Sequence, residues 1–350
     1  MRIAQVAPLF ESVPPKCYGG TERVVSYLTE ELVRQGHQVS LFASADSVTK
    51  AHLVPVCGRS LRMDKYCVDP FAHHVLMLER VFQHAPDFDI VHFHTDYMHF
   101  PLSRRYPITH VTTLHGRLDI PDLVPVFREF QEMPVISISN KQRESLAWAN
   151  WQATVYHGVP AEMYRLREKP GTYLAFLGRI SPEKRVDHAI EIAKRVEMPL
   201  KIAAKVDRAD KDYFEAVIAP LLCDPLVEFV GEIGETEKDE FLGNAYALLF
   251  PVDWPEPFGL VMIEAMACGT PVIACPRGAV PEVIEHGQTG FLIEGLQDAV
   301  EAIRCVQQLS RKGCREVFEK RFTAARMAHH YVAVFQGLIK KGEDQIWEAA

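Results

Sequence analysis

The sequence lacks the features of several protein classes. Its longest uninterrupted apolar run, AYALLFPV at 245–252, is far shorter than the ~20 residues of a membrane-spanning helix. The net charge of -8 provides no general attraction to nucleic acid or to an anionic membrane. The eight cysteines include no CxxC pair, and a chain of 350 residues does not need disulfide staples. We therefore expect reduced thiols, a cytoplasmic location and no nucleic-acid partner.

Signatures of cofactor and metal binding are also missing or weak. No GxGxxG motif occurs, which argues against an NAD-dependent dehydrogenase. His92 and His94 share one face of a predicted strand without a cysteine or acidic partner at ligand spacing, so we interpret them as core residues. Asp87 and Asp89 match a DxD pattern, but Pro86 before and a strand after favour a turn. We expect neither a metal ion nor a cofactor.

Short β-branched runs alternate with amphipathic stretches along the chain. This alternation is typical of repeated βα units and predicts an α/β fold with mostly parallel sheets. The polar segment HGVPAEMYRLREKPG, at 157–171, separates two such series and indicates a domain boundary. We predict a first domain over 1–160, a second over 161–322 and a final helix over 323–350.

Hydrophobic periodicity gives the individual elements. The predicted strands are 2–7, 39–43, 90–94, 111–114, 135–139, 154–156, 173–177, 200–204, 227–230, 247–250 and 272–274. A helix between the first two strands has apolar positions at helical spacing and should end at Gly36. The final helix should carry an apolar stripe of Met327, Tyr331, Val334, Phe335 and Leu338.

The stretch from Phe250 to Ile293 is the most informative about chemistry. Glu256 directly follows a strand, and Glu264 lies within an apolar helix predicted to begin near Phe258. Helical geometry, with ~1.5 Å rise per residue, would place the carboxylates about 10 to 12 Å apart, a span that suits a sugar and a ribose joined by a diphosphate. A lone pair of glutamates is more often two ordinary helix acids. Glu264, however, lies in LVMIEAMACG, where a buried carboxylate needs hydrogen-bond donors, and ribose hydroxyls would supply them.

The start of the same helix offers an anion site. The backbone N–H groups of Phe258, Gly259 and Leu260 lack helical partners, and the helix dipole adds to their attraction for anions. Gly259 would let the chain approach a phosphate closely.

A second cluster, FLGRISPEKR at 176–185, follows the first strand of the second domain. Ser181 is a favoured N-cap and Pro182 a favoured first helical residue, which places a helix start at the sheet edge where ligands bind. Arg179 and Lys184 flank this turn, and two cations can neutralise a leaving diphosphate without a metal. Both could equally be surface charges.

The first domain contributes weaker signals. YGGTERVV places Gly19 and Gly20 just ahead of a helix. His115 follows the strand VTTLH at the corresponding sheet edge, where it could donate a hydrogen bond to substrate or cap a loop.

Taken together, these motifs resemble those of the family-4 retaining glycosyltransferases of GT-B fold, and the resemblance covers essentially the full chain. It rests on EPFGLVMIE, GRISPEKR, YGGTERVV, HGV before the linker, and GTPVIA followed by GAVPEVIEHGQTGFLI. The GT-B fold implies two Rossmann-like domains with parallel sheets facing a central cleft. It also implies an acceptor side in the first domain, a nucleotide-sugar site in the second, and a final helix that crosses back to the first.

The resemblance also implies roles for individual residues. Glu264 would hold the ribose hydroxyls and Glu256 the hydroxyls of the donor sugar. Arg179 and Lys184 would bind the diphosphate with the amides of 258–260.

In the first domain, the resemblance implies that the loop of Gly19 and Gly20 closes over the phosphates and that His115 contacts the donor sugar near its C6 hydroxyl. Family members need no metal, and retention is explained by front-face attack in which the departing phosphate helps to deprotonate the acceptor.

The sequence indicates less about the acceptor and about the base of the donor nucleotide. Glu22 and Asp119 are acceptor-side candidates, as are Arg104 and Arg105, and all four could be solvated. UDP-glucose is slightly favoured as donor, with GDP-mannose next. The balanced charge of the first domain does not indicate membrane contact.

Three alternatives share some of these features. A GT-B nucleotide-sugar epimerase would use the same donor without transfer, and a noncatalytic nucleotide-sugar-binding subunit would turn over nothing. A retaining glycoside hydrolase also needs two carboxylates, but at ~5 to 5.5 Å, about half the spacing predicted here.

Overall fold

The chain forms two compact units, each an α/β assembly around one parallel sheet, as predicted. The computed structural model describes residues 1–349, with the exception of the side chains of 343 and 345–349. The first unit combines Met1–Gly158 with the last helix of the chain, and the second is Val159–Thr323.

The first unit is built on a seven-stranded parallel sheet with strand order β3-β2-β1-β4-β5-β6-β7. Its elements before the linker are β1 (Arg2–Val6), α1 (Gly20–Arg34), β2 (Gln38–Ser44), β3 (His52–Cys57), α2 (Pro70–His84), β4 (Ile90–Phe93), α3 (Phe100–Ser103), β5 (His110–Thr113), α4 (Leu123–Glu129), β6 (Val135–Ser137), α5 (Asn140–Arg143) and β7 (Trp151–Thr154). The strand order reverses between β1 and β4, so the loops after these strands flank the switch point.

Helix α1 shows how the sequence sets the local structure. Its apolar side chains Val24, Val25, Leu28 and Leu32 are fully buried. The helix ends where Gly36 takes a φ of 87°, a left-handed conformation that favours glycine.

The second unit contains a six-stranded parallel sheet with order β10-β9-β8-β11-β12-β13. Its elements are β8 (Tyr173–Ile180), α6 (Val186–Arg195), β9 (Leu200–Val206), α7 (Lys211–Tyr213), β10 (Val227–Gly231), α8 (Glu235–Gly243), β11 (Ala245–Phe250), α9 (Leu260–Ala267), β12 (Val272–Ala274), α10 (Val280–Val283), β13 (Gly290–Leu292), α11 (Leu296–Cys305) and α12 (Arg311–Arg321). Here the strand order reverses between β8 and β11.

Helix α13 (Ala324–Ala349) belongs to the first unit and contacts α1. Its stripe is the predicted one: Met327, Tyr331 and Phe335 are buried, and Val334 and Leu338 are half-buried. The Tyr331 ring lies 5.0 Å from the His92 ring, and its hydroxyl accepts a hydrogen bond from Thr113.

The structure corrects three details of the predicted strands. Strands β3 and β13 were not predicted, because Pro55 interrupts the first and the second has only three residues. The strand predicted at 154–156 lies at Trp151–Thr154, and the indole of its first residue donates to the Leu146 carbonyl.

Candidate active site

The candidate site of the second unit lies at the switch point of its sheet. The loops after β8 and β11 leave the carboxyl ends of neighbouring parallel strands. The amide of Asp253 donates to the Glu183 carbonyl at 2.8 Å and ties the two loops together. Ligands of open α/β sheets bind at such points.

The loop after β8 does not begin a helix in the predicted way. Pro182–Lys184 forms a single 3₁₀ turn, Arg185 takes a left-handed φ of 54°, and α6 starts only at Val186. Ser181, which precedes the turn, is buried. Ser181 is the N-cap of this turn and Pro182 its first residue, as predicted, but the Ser181 side chain makes no capping hydrogen bond.

Lys184 and Glu256 meet above the ends of β8 and β11. The Lys184 ammonium forms an ion pair with Glu256 Oε2, and Trp254 Nε1 donates to the same oxygen at 2.8 Å. The ammonium also lies 4.8 Å from the Trp254 ring centroid and 5.5 Å from that of Phe250. The Glu256 side chain is only 9% exposed, so these donors replace the water that a carboxylate would otherwise require.

Helix α9 starts later than predicted. It begins at Leu260 rather than near Phe258, and Gly259 precedes it with a φ of 86°. This left-handed conformation favours glycine. Because 256–259 are not helical, helical rise does not set the spacing of Glu256 and Glu264.

Glu264 is buried, as predicted, but its donor comes from the protein. Lys238 Nζ lies 2.8 Å from Glu264 Oε1 and 3.6 Å from Glu235 Oε2. The Tyr164 hydroxyl donates to Glu235 Oε1 at 2.8 Å. The buried carboxylate therefore has a donor within the protein, and its contact with ribose hydroxyls stays a prediction.

Arg179 lies at the end of β8 and is held by acids. Its guanidinium is 2.7 Å from Glu183 and 3.4 Å from Asp210. The exposed fraction of its side chain is 30%. A diphosphate at Arg179 would therefore exchange with carboxylate partners.

In the first unit, His115 is part of a chain of imidazoles. Its Nε2 lies 2.8 Å from His94 Nδ1, and His94 Nε2 lies 2.8 Å from Gln5 Oε1. The ring of His157 stacks on His115 with centroids 5.3 Å apart. Burial lowers the pKa of His115 to about 3, so the ring is neutral. Its Nδ1 is buried and has no partner within the described residues.

The remaining first-unit candidates lie at the start of α1, except Asp119, which lies in a loop. Gly19 has a φ of 146° and leaves no room for a side chain, since a Cβ would lie 2.8 Å from Pro15 Cβ. Glu22 is buried in the first turn of α1, where burial raises the pKa of its carboxyl. Asp119 pairs with Arg117 at 2.7 Å, and this contact lowers its pKa.

The arginines considered on the acceptor side are engaged elsewhere. Arg104 pairs with Glu129 and Glu132, each at 2.6 Å, and Arg105 donates to the Pro101 carbonyl. Nothing in these contacts points to a ligand.

Comparison with known proteins gives consistent matches along the chain. The model described as Glycosyltransferase Family 4 matches residues 18–174, and that described as Glycosyl transferases group 1 matches residues 164–320. The chain belongs to the family-4 glycosyltransferases. N-acetyl-alpha-D-glucosaminyl L-malate synthase of Bacillus anthracis is 26% identical to this glycosyltransferase, over 93% of this chain and 96% of the relative. D-inositol 3-phosphate glycosyltransferase of Pseudarthrobacter chlorophenolicus is 24% identical, over 81% and 82%.

Solved structures show the GT-B fold of this glycosyltransferase. Sucrose-phosphate synthase of Thermosynechococcus elongatus matches with a TM-score of 0.81 at 18% identity, over 97% of this chain and 100% of that one. Anabaena HepE in complex with UDP and glucose matches with a TM-score of 0.74 at 18% identity, over 96% and 100%.

In the part of the chain that the structure describes, no group of three His, Cys, Asp or Glu side chains is arranged to hold a metal ion. None of its described helices has the length and apolar character needed to cross a bilayer.

The structure brings some of the predicted residues together and adds others. Lys184 and Glu256 are in contact, whereas Arg179 and Glu264 are each bound to other partners. Sequence reasoning missed Lys238 and Trp254. Trp254 sits two residues before Glu256 and could have been noticed there, but the pairing of Lys238 with Glu264 spans 26 positions and has no local pattern.

Proposed function

We propose that this glycosyltransferase moves a hexose from a nucleotide-diphosphate sugar to an acceptor hydroxyl with retention, forming an α-glycosidic bond. The reaction is proposed to need no metal ion or cofactor. The observation that carries the proposal is the contact of Lys184 with Glu256 at the switch point of the second sheet. A lysine at such a point can bind phosphate, and a carboxylate beside it can bind sugar hydroxyls, which supports the proposal.

The donor contacts proposed for the second unit divide the nucleotide sugar into ribose, diphosphate and hexose. Glu264 is proposed to bind the ribose hydroxyls while Lys238 balances its charge. Glu256 is proposed to bind hexose hydroxyls. The amides of 258–260 and the cations Arg179 and Lys184 are proposed to bind the diphosphate.

The two cations matter most when the glycosidic bond to phosphate breaks. Negative charge then grows on the leaving diphosphate, and interactions that strengthen with that charge lower the barrier. In the resting protein Arg179 and Lys184 are already paired with Glu183 and Glu256. The leaving group must therefore be a stronger partner than a carboxylate, and a diphosphate with its higher charge is one.

The first unit is proposed to bind the acceptor and part of the hexose. His115 is proposed to contact the sugar near its C6 hydroxyl, and the loop of Gly19 and Gly20 to cover the phosphates. Glu22 and Asp119 are proposed for the acceptor side. A cytoplasmic location fits the eight cysteines, which are all free thiols.

UDP-glucose is the first donor to test and GDP-mannose the second. HepE, which shares the fold, was solved with UDP and glucose, and this supports UDP as the first nucleotide to test here. The assay pairs each donor with a panel of hydroxyl acceptors and follows nucleoside diphosphate release together with product mass. A new glycoside with an α linkage by NMR is expected. Interconversion of the donor sugar without transfer would indicate the epimerase, and binding without any turnover would indicate a noncatalytic subunit.

Variants test the assignment of the site. Lys184→Ala should lower kcat/KM at least about a hundredfold, because one contact to the developing charge is lost. Glu264→Ala should have a similar effect through the ribose. Lys201→Ala is the matched control, since Lys201 also combines an ion pair, 3.0 Å to Glu228, with a ring contact, 5.0 Å to Tyr173, away from the switch point. Near-native transfer by folded Lys184→Ala would defeat the proposal.

A further inference from the structure

Trp254 lies between the two proposed donor-binding groups and has no assigned role. It occupies the loop after β11 in the segment FPVDWPEPFG and is half-buried. An indole has one N–H donor and a large polarisable face, and it can use both at once. Trp254 uses both within the site.

The N–H group of Trp254 acts on Glu256. Nε1 donates to Oε2 at 2.8 Å, and the Lys184 ammonium binds the same oxygen. The Lys184 and Trp254 contacts of Glu256 both end at Oε2 and not at Oε1. Two donors on one oxygen fix the rotation of the carboxylate and leave Oε1 as the acceptor for a ligand hydroxyl.

The ring face of Trp254 acts on Lys184. The ammonium lies 4.8 Å from the ring centroid, within the range of a cation–π contact. If Lys184 moves to bind a diphosphate, Glu256 loses one of its two donors. The Trp254 N–H then becomes the contact that keeps Oε2 in place.

We propose that Trp254 is a positioning residue that orients Glu256 toward the donor hexose and so makes the protein prefer a nucleotide sugar to the free nucleotide. This inference rests on the proposed function of the same site. It separates two binding contributions: Lys184 acts on the diphosphate, whereas Trp254 acts, through Glu256, on the sugar.

Two substitutions separate the N–H group from the ring. Trp254→Phe keeps an aromatic face for Lys184 and removes the donor. Trp254→His restores the donor, because Nε2 of histidine occupies the position of Nε1 of tryptophan when the five-membered rings superpose. Trp148→Phe is the matched control, since Trp148 is also a partly exposed indole beside a cation, Arg128 at 6.0 Å, but lies in the first unit.

Isothermal titration calorimetry with UDP and UDP-glucose, and with GDP and GDP-mannose, gives the readout. For the pair that the wild type binds, Trp254→Phe should raise the Kd of the nucleotide sugar about tenfold and leave that of the nucleotide within about twofold, since one hydrogen bond to a charged group is lost. Trp254→His should recover most of the lost preference, and Trp148→Phe should not change it. Thermal unfolding of each variant shows that it is folded.

The other outcomes are decisive. Equal Kd changes for nucleotide and nucleotide sugar, or no change for either, would overturn the positioning role while wild-type transfer still supports the proposed function. Failure of Trp254→His to recover the preference lost in Trp254→Phe would overturn the role of the N–H donor. If the wild type binds none of the four ligands, this result would overturn both the proposed function and the role of Trp254.

Discussion

Among single residues, Glu264 shows most clearly how a buried charge is accommodated. Its side chain is 2% exposed and that of Lys238 is 11% exposed. The attraction of such a pair roughly offsets the cost of removing both charges from water, whereas one buried charge without the other is strongly unfavourable. The pair therefore specifies the site more than it stabilises the fold.

This balance predicts the behaviour of Lys238→Met. The substitution leaves the Glu264 carboxylate without its cation and should lower the free energy of unfolding by about 3 to 5 kcal/mol. Urea titration of the variant measures the loss. The double variant Lys238→Met/Glu264→Gln should recover most of it, and a double variant as unstable as Lys238→Met alone would contradict the explanation.

How well the site could be predicted differs from one residue to another. Glu264 was expected to be buried because its neighbours in LVMIEAMACG are apolar, and this local pattern is reliable. Its partner Lys238 was not found, because partner choice depends on how α8 packs against α9. Contacts between side chains distant in sequence, such as Lys184 with Glu256 across 72 positions, leave no local pattern.

Among elements, the loop between β12 and α10 supports the site by close backbone packing. Gly278 has a φ of 58°, and a Cβ there would overlap the backbone nitrogen and carbonyl oxygen of Glu256. The neighbouring amide of Ala279 donates to that carbonyl at 2.8 Å. The sequence GAVPEV is therefore constrained by Glu256 rather than by its own turn alone.

Gly278→Ala should displace the backbone that carries Glu256. We expect kcat/KM to fall at least about tenfold, because small misplacements of a binding group have large kinetic effects. Gly287→Ala is the control: its φ is 77°, and nothing lies within 4 Å of the added Cβ. The control should lose about 1 to 2 kcal/mol of stability from backbone strain and keep its activity. Equal activity losses in steady-state assays of the two variants would exclude the packing explanation.

Elements with a strong hydrophobic periodicity could be predicted from the sequence, and elements without it could not. Helix α1 and the stripe of α13 follow from apolar spacing and agree with the structure. Strand β13 has three residues and pairs only because β12 lies beside it, so tertiary context decides it. The late start of α9 follows from the positive φ of Gly259, which apolar spacing cannot reveal.

For the molecule as a whole, the two units differ in histidine content. Eleven of the 15 histidines precede residue 158, whereas the second unit contains only His188 and His286. Burial lowers the pKa of nine first-unit histidines, among them His92, His94, His99, His115 and His157. These rings stay neutral in the folded unit.

The first unit should therefore lose stability in mild acid. Below the unfolded histidine pKa of ~6.5, the unfolded chain binds protons that the buried native rings do not bind. The free energy of unfolding therefore falls as the pH falls. One such histidine contributes a loss of about 2 kcal/mol at pH 5. Raised pKa values of Glu22 and of Asp96, the latter about 6, act in the opposite direction, but the histidines outnumber them.

Methionine oxidation in urea can follow each unit separately. Met77 and Met133 are buried in the first unit, and Met262 and Met266 in the second. Between pH 7.5 and 5, the oxidation midpoint of the first pair should move to lower urea by more than that of the second pair. A parallel shift of both pairs would contradict the assignment of the acid sensitivity to the buried histidines.

The return of α13 to the first unit has a consequence for how the protein is made. A ribosome delivers Met1–Gly158 first, then all of Val159–Thr323, and only then the helix that carries Tyr331 and Phe335. Domains usually close in the order of synthesis. Here the second unit is complete before the first unit is. Until α13 is made, the ring of His92 lacks its contacts with Tyr331 and Phe335. Slow translation of α13 would therefore prolong the exposure of the apolar surface that this helix covers in the first unit.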